Sequence, residues 1–208
     1  MTVLGIVLVI GFLAFAYMAT STPSTPQVYA DVNTVKNTDH LKWSPTKTHL
    51  LVEYGDLQCP ACKNYHFQFK NILEKDKSVT DKVTFIYRHF PLPMHSHAQI
   101  AAQIAEASAI QGKYYEMIDT IYENQDFWEG KGDKEAKEYF LGKAKELGMD
   151  IDKLKIDMDS KAVKDKIDND RTSGEMATVN STPTYFLDGK KVDLGSADDL
   201  KKEIQALK

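Results

Sequence analysis

Leu50-Leu51-Val52-Glu53-Tyr54 is followed by Gly55-Asp56-Leu57-Gln58 and then by Cys59-Pro60-Ala61-Cys62-Lys63, and this run decides the fold. Its first five residues read as a short buried strand and the next four as a turn. From Ala61 to about Leu73 apolar positions then recur at helical spacing. A second strand pattern, Val83-Thr84-Phe85-Ile86-Tyr87, closes at the Pro91-Leu92-Pro93 breaker. Strand, helix and strand within about forty residues predict a right-handed parallel crossover.

Cys59 and Cys62 are the only cysteines, so none is left for a structural bridge and their chemistry is local. The two-residue gap puts both sulfurs in one turn. Cys59 falls at the helix start, where free backbone N–H groups and the helix dipole stabilise a thiolate. Pro60 suits the first helical position, where its missing N–H costs nothing. Cys62, one turn in, is placed to be buried and to resolve a mixed disulfide. Other chemistries compete. A zinc site would draw His66, four residues beyond Cys62, with His89, His95 or His97, but a second cysteine pair is absent and the metal expectation is none. Covalent haem attachment needs His directly after the second Cys, and Lys63 stands there. Two inert buried cysteines are the remaining reading.

Glu53 lies on an otherwise apolar strand, where an unpaired carboxylate is costly and its pKa should rise. It is read as the proton acceptor for Cys62, against the alternative of a side chain reaching solvent at the strand end. Asp56 reads as a turn residue. Lys63 and His66 either add positive potential or simply sit on a solvated first turn.

Further along, helical patterns run through Ile100, Ile104 and Ala107, Tyr114 to Tyr122, Ala136 to Leu147, and Ile156 to Ile167. Thr184-Tyr185-Phe186-Leu187, Asp188-Gly189 and Lys191-Val192 read as a hairpin, and Leu200, Ile204 and Leu207 as a closing helix. The expected sheet therefore uses segments near 50–54, 83–88, 184–187 and 191–193, with helices inserted over about 97–178.

At the cysteine pair a family resemblance becomes specific. Val52 through Lys63 resembles the active-site stretch of the DsbA-like branch of the thioredoxin superfamily. Arg88-His89-Phe90-Pro91-Leu92 resembles the end of that branch's second strand, His97 to Tyr114 its helical insertion, and Val179 to Thr184 its substrate-binding loop. The likeness runs from about residue 38 to the end. It implies an α/β thioredoxin-like fold with a helical insertion, Cys59 as exposed nucleophile, Cys62 as its partner in a redox-active disulfide, and Pro183 as a cis proline facing them. Thr182, Pro183, Pro60 and Ala61 would contact substrate, with the Thr182 backbone pairing an extended segment. The most oxidising members carry His where Ala61 stands. Ala61 cannot, on this reading, hold the thiolate by charge or hydrogen bond, so a smaller depression of the Cys59 pKa and a milder oxidant are expected.

Outside this domain, the first thirty residues contain no Asp, Glu, Lys or Arg. Val3 to Ala19 spans roughly 25 Å as a helix, and extended to Thr22 it can cross a bilayer. Residues 1–22 are thus expected to be a transmembrane anchor, 23–37 a Thr/Ser/Pro-rich tether, and 38–208 the thioredoxin-fold domain. Val28-Tyr29-Ala30 has the spacing of a signal cleavage site, so secretion after cleavage is the alternative.

A formal net charge of −4 offers no counterion-releasing surface and argues against nucleic acid as a partner. Thiol exchange needs no cofactor beyond the cysteine pair. The expected activity is a membrane-tethered thiol-disulfide oxidoreductase outside the cytoplasm. It would oxidise exported proteins and be reoxidised by a membrane partner. The same residues run backwards would make a reductase or isomerase.

Overall fold

The computed structural model describes residues 27–44, 48–193 and 195–208. The expected anchor lies outside these residues; among those described, no helix is long and apolar enough to cross a membrane. Among the described residues five strands form one sheet in the order β1-β3-β2-β4-β5: β1 Leu41–Trp43, β2 His49–Gly55, β3 Val83–His89, β4 Thr184–Leu187 and β5 Lys190–Val192. Helices α1 Pro60–Ile72 and α2 Lys77–Thr80 carry the chain from β2 to β3, which pair in parallel as the crossover pattern predicts. Between β3 and β4 lie α3 Ala98–Ala109, α4 Tyr114–Glu123, α5 Gln125–Trp128, α6 Asp133–Glu146, α7 Ile151–Met158 and α8 Lys161–Met176, and α9 Ala197–Ala206 closes the chain. This is a thioredoxin-like sheet with a helical insertion.

The central strands read as near-continuous apolar runs because both faces of the sheet are covered. Leu51, Tyr87, Tyr185 and Leu187 face a core shared with Phe69, Leu73, Ile104, Met117, Leu200 and Ile204. Leu50, Val52, Tyr54, Ile86 and Phe186 face a second cluster with Val32, Phe90, Ala177 and Val179. The β4–β5 hairpin turns at Asp188-Gly189, both at positive φ (49° and 73°), as a tight two-residue connection requires.

Three expectations change. Residues 28–37, assigned to the tether, are packed from Val28 onward. Val28 bridges to Lys190, the Tyr29 N–H donates to the Gly189 carbonyl (2.8 Å), and Val32 is buried. The apolar Tyr29, Val32 and Val35 give this stretch a face to bury, while Val28 stays exposed. The helix expected from Ile156 to Ile167 is two helices. α7 ends at Met158, and Ser160 caps α8 by accepting from the Val163 N–H. Edge strand β1, only three residues long, was not expected; it pairs antiparallel with β3.

Candidate active site

The pair sits where β2 hands over to α1. Cys59 is the N-cap residue with extended backbone (φ −72°, ψ 123°), Pro60 follows at the first helical position, and no side chain caps the helix. The free N–H groups of the first turn therefore point at the Cys59 sulfur. Asp56 organises the turn, since its carboxylate accepts from the Gln58 N–H (2.7 Å) and the Leu92 N–H (2.8 Å) and lies 2.7 Å from His95 Nδ1. The insertion fastens the same turn: Gln125 Nε2 donates to the Leu57 carbonyl (3.1 Å) and the Tyr122 hydroxyl to the Asp56 carbonyl (3.2 Å).

The segments expected at the site do meet there. The Thr182-Pro183 peptide bond is cis, and the Cys59 thiol donates to the Thr182 carbonyl at 3.4 Å. Pro60 and Ala61 are exposed and Pro183 is half-buried. Cys59, expected to be exposed, is largely covered, with 6% of its surface open against 0% for Cys62. The Thr182 loop lies over it. The Asp56 N–H donates to Cys62 Sγ at 3.5 Å.

The acidities of the two sulfurs are pushed in opposite directions. The Cys59 thiol is lowered to about 5, first by a hydrogen bond from Cys62. Burial opposes this, and the Thr182 side chain and the backbone N–H groups of Cys62 and Ala61 pull the same way as Cys62. Ala61 thus does hold the thiolate, through its backbone rather than its side chain. Burial, with the charges of Cys59 and Glu53, pushes the Cys62 thiol well above its ordinary value. Cys59 alkylation is accordingly expected to rise with pH to a plateau, with its midpoint near 5, while Cys62 stays unlabelled at neutral pH. Brief alkylation at several pH values followed by mass spectrometry measures this; equal labelling of the two sulfurs would contradict it.

Glu53 is buried, with 3% exposure, which removes the reading of a side chain reaching solvent. Strand register sets it between Tyr87 on β3 and Tyr185 on β4. Burial, against a smaller pull from the Tyr185 hydroxyl and aided by the Cys59 charge, raises its carboxyl to about 8. Gly55 serves the same corner: a Cβ there would lie 2.4 Å from the Tyr87 ring, so the ring needs glycine to pack beneath the active-site turn.

Lys63 and His66 do not aim charge at Cys59. Lys63 pairs with Asp126, and His66 Nε2 lies 2.9 Å from Asp119 Oδ1. The other histidines weighed for a metal site face carboxylates: His89 lies 3.0 Å from Glu106, His95 2.7 Å from Asp56, and His97 3.4 Å from Asp133. Among the described residues no group of three or more His, Cys, Asp or Glu side chains is placed to hold a metal ion. Sequence reasoning did not find Tyr87, Tyr122, Tyr185, Gln58 or Gln125, whose parts in the site depend on strand register and on packing of the insertion.

Comparison with known proteins gives three findings. A family model described as Thioredoxin matches residues 23–206. The Na+/H+ antiporter NhaA of Herminiimonas arsenicoxydans is 30% identical over 154 residues, which make up 74% of this chain and 23% of the antiporter. The chain thus spans about a quarter of the length of the curated relatives it matches. Among solved structures, the thiol-disulfide exchange protein α-DsbA2 of Wolbachia pipientis superposes with a TM-score of 0.70 at 21% identity, covering 86% of this chain and 92% of that one. Oxidised BdbD of Bacillus subtilis superposes with a TM-score of 0.68 at 19% identity, covering 81% and 91%. At these identities the likeness is one of fold.

Proposed function

The chain belongs to the thioredoxin family, and from that premise we propose that it is a DsbA-like, membrane-tethered thiol-disulfide oxidoreductase acting outside the cytoplasm. Its reaction is the introduction of disulfides into exported proteins. The observation that carries this reading is the placement of the two thiols: Cys59 at the start of α1 against the Thr182 carbonyl, with its acidity raised there, and Cys62 one turn on and fully buried, with its acidity lowered. Stabilising the Cys59 thiolate stabilises the reduced enzyme, which makes its disulfide an oxidant.

In the forward reaction a substrate thiolate attacks Cys59 Sγ of the oxidised pair. The Cys59–Cys62 bond breaks, and Cys62 leaves with the electron pair and takes a proton from the Glu53 carboxyl. A second substrate thiolate then attacks the substrate sulfur of the mixed disulfide and releases Cys59 as a thiolate. The substrate loses two electrons and the enzyme gains them; a membrane partner with a disulfide or quinone oxidant removes them again. Thr182, Pro183, Pro60 and Ala61 contact the substrate chain. Exposed Met94 (74%) and Phe127 (68%) stand on segments tied to Asp56 and Lys63, and they suit apolar side chains of unfolded polypeptides. Siting at a membrane is supported by the uncharged run Val3 to Ala19 and by relatives that carry the matched domain within a Na+/H+ antiporter.

Cys62→Ala in the full chain is expected to accumulate mixed disulfides through Cys59, because the resolving thiol is gone while the nucleophile remains. Non-reducing gels of membrane fractions read the adducts. Their absence, or their persistence when Cys59 is also replaced, would refute the exchange mechanism.

A further inference from the structure

On the insertion, where α6 and α7 meet, lies an open groove of about 490 Å³. Its floor is apolar, with Leu141 and Ile151 half-buried against the core and Gly142 adding no side chain. A Cβ at Gly142 would meet nothing within 4 Å, so the packing of this chain does not call for a glycine in mid-helix, where it is a cost. Its bare backbone keeps the floor open. Lys134, Lys137, Lys145 and Lys155 stand round that floor, and carboxylates hold them loosely. Lys134 lies 3.9 Å from Glu138, Lys137 3.7 Å from Asp159 and Lys155 3.6 Å from Asp152, while Lys145 has no ion pair among the described residues. Asp159 is shared with Lys164 (3.8 Å), which extends the patch onto α8. Carboxylates on the flanking turns are already taken, Glu146 by Lys143 (2.9 Å) and Asp157 by Lys153 (2.6 Å). A chain of net charge −4 thus shows a face on which lysines outnumber free carboxylates. Beside Lys155, the apolar side chain of Ile156 is 74% exposed.

We propose that this groove is the face by which the domain docks on an anionic phospholipid bilayer, with lipid phosphates at the lysine ammonium groups and Ile156 entering the boundary between headgroups and acyl chains. The inference deepens the reading of a membrane-tethered chain and rests on it for reach. Residues 23–27 are all that separate the expected anchor from Val28, which bridges to Lys190. They allow at most about 20 Å of extended chain, so the domain stays close to the bilayer and some face of it meets headgroups. Lysine suits that encounter, since its stem lies along apolar surface while the ammonium stays at the water side. Each lysine close to an anionic bilayer favours the docked state by about fivefold. A second copy of the chain is disfavoured as the occupant, because a symmetric contact would set lysine against lysine. The first residue of α6, Asp133, lies 3.4 Å from His97, whose N–H donates to Gln58 at 2.6 Å. The docked face therefore runs up to the turn that carries the cysteine pair, where a membrane partner would take its electrons.

The test combines the full chain with vesicles of phosphatidylcholine alone and with vesicles of roughly three parts phosphatidylcholine to one of phosphatidylglycerol. Flotation reports whether the chain is anchored. Brief acylation with a membrane-impermeant amine reagent, read residue by residue by mass spectrometry, reports which lysines are covered. On the anionic vesicles, labelling of Lys134, Lys137, Lys145 and Lys155 is expected to fall about fivefold below its value on the neutral ones. It should recover in about 1 M salt, where the Debye length is about 3 Å. Lys202 on α9, with 75% of its side chain exposed, is the control and should not change. Replacing two rim residues together, Lys137→Glu and Lys145→Glu, should abolish the protection of Lys134 and Lys155 and leave Cys59 alkylation as it is. Flotation with both kinds of vesicle and equal labelling on both overturns the docking and leaves the tether standing. Flotation with anionic vesicles alone, lost in the double variant, overturns the tether and leaves the docking standing. Flotation with neither overturns both. Protection that appears in detergent and grows with protein concentration would put a second copy in the groove and overturn the proposal.

Discussion

Glu53→Gln is expected to stabilise the reduced chain by about 3–5 kcal/mol near pH 9 and to change its stability little near pH 4. The native carboxyl titrates at about 8 rather than at its ordinary 4.5. Between those values the native state holds a proton that the unfolded chain has released. The stability linked to that proton is fully present below about pH 4.5 and is lost as pH rises through about 8. Glutamine fills the same space and cannot ionise, so the variant escapes the loss. Cys59 contributes the opposite slope: its depressed thiol adds stability that is complete above the ordinary cysteine value and is lost as pH falls through about 5. Subtracting wild type from variant removes that contribution to first order. Urea denaturation of both proteins at the two pH values measures the difference. A variant that is no more stable near pH 9 would show that Glu53 is not held neutral by burial. A gain in stability combined with slowed exchange would mark Glu53 as a group kept for chemistry at the expense of the fold.

The second large effect lies on the opposite face of the sheet. Arg88 is fully buried, with Nη2 2.8 Å from Asp39 and 2.8 Å from the Thr34 carbonyl and Nη1 3.3 Å from the Tyr54 hydroxyl. It ties residues 32–39 to β3. Arg88→Met would leave the buried Asp39 carboxylate with fewer partners, a cost of about 3–5 kcal/mol when one member of a buried pair is removed. Lys166 Nζ lies 3.6 Å from Asp39 Oδ1, which places the expected loss toward the lower end of that range. The visible consequence should be cleavage within residues 28–39 under limited proteolysis, with the Cys59 alkylation rate retained. Wild-type stability together with an uncut segment would mean that the pair does not fasten this stretch.

The strands β2, β3 and β4 and the cysteine pair were legible in the sequence because each is a local pattern. Two faces of the sheet are buried, so Leu50–Tyr54 and Val83–Tyr87 are nearly unbroken apolar runs, and Pro60 marks the helix start at the pair itself. The break at Ser160 was not legible: Ile156, Val163 and Ile167 keep one helical face across it, so periodicity alone joins α7 to α8. Strand β1 is too short to show alternation. Within the site, Glu53 stood out as the one charge on an apolar strand, whereas Tyr87 and Tyr185 beside it follow from the pairing of β2 with β3 and β4. Asp56 reads as a turn residue and is one. That its second carboxylate oxygen also holds Leu92 and His95 depends on a tertiary approach that no spacing encodes. The covering of Cys59 by the Thr182 loop has the same origin, as do the backbone hydrogen bonds that let Ala61 support the thiolate.

A redox titration of the full chain against glutathione, read by mass spectrometry of trapped thiols, tests the central claim most directly. Dithiol proteins whose reactive thiols ionise near 7 and near 3.5 have potentials of about −270 and −120 mV. A Cys59 thiol lowered to about 5 places this pair between those two. Reversible formation of one intramolecular Cys59–Cys62 disulfide is expected at a potential between those limits, passing through a glutathione adduct on Cys59. A potential at or below about −270 mV would make the pair a reductant rather than an oxidant. An absence of exchange, or an adduct on Cys62 in place of Cys59, would contradict the thiol chemistry itself.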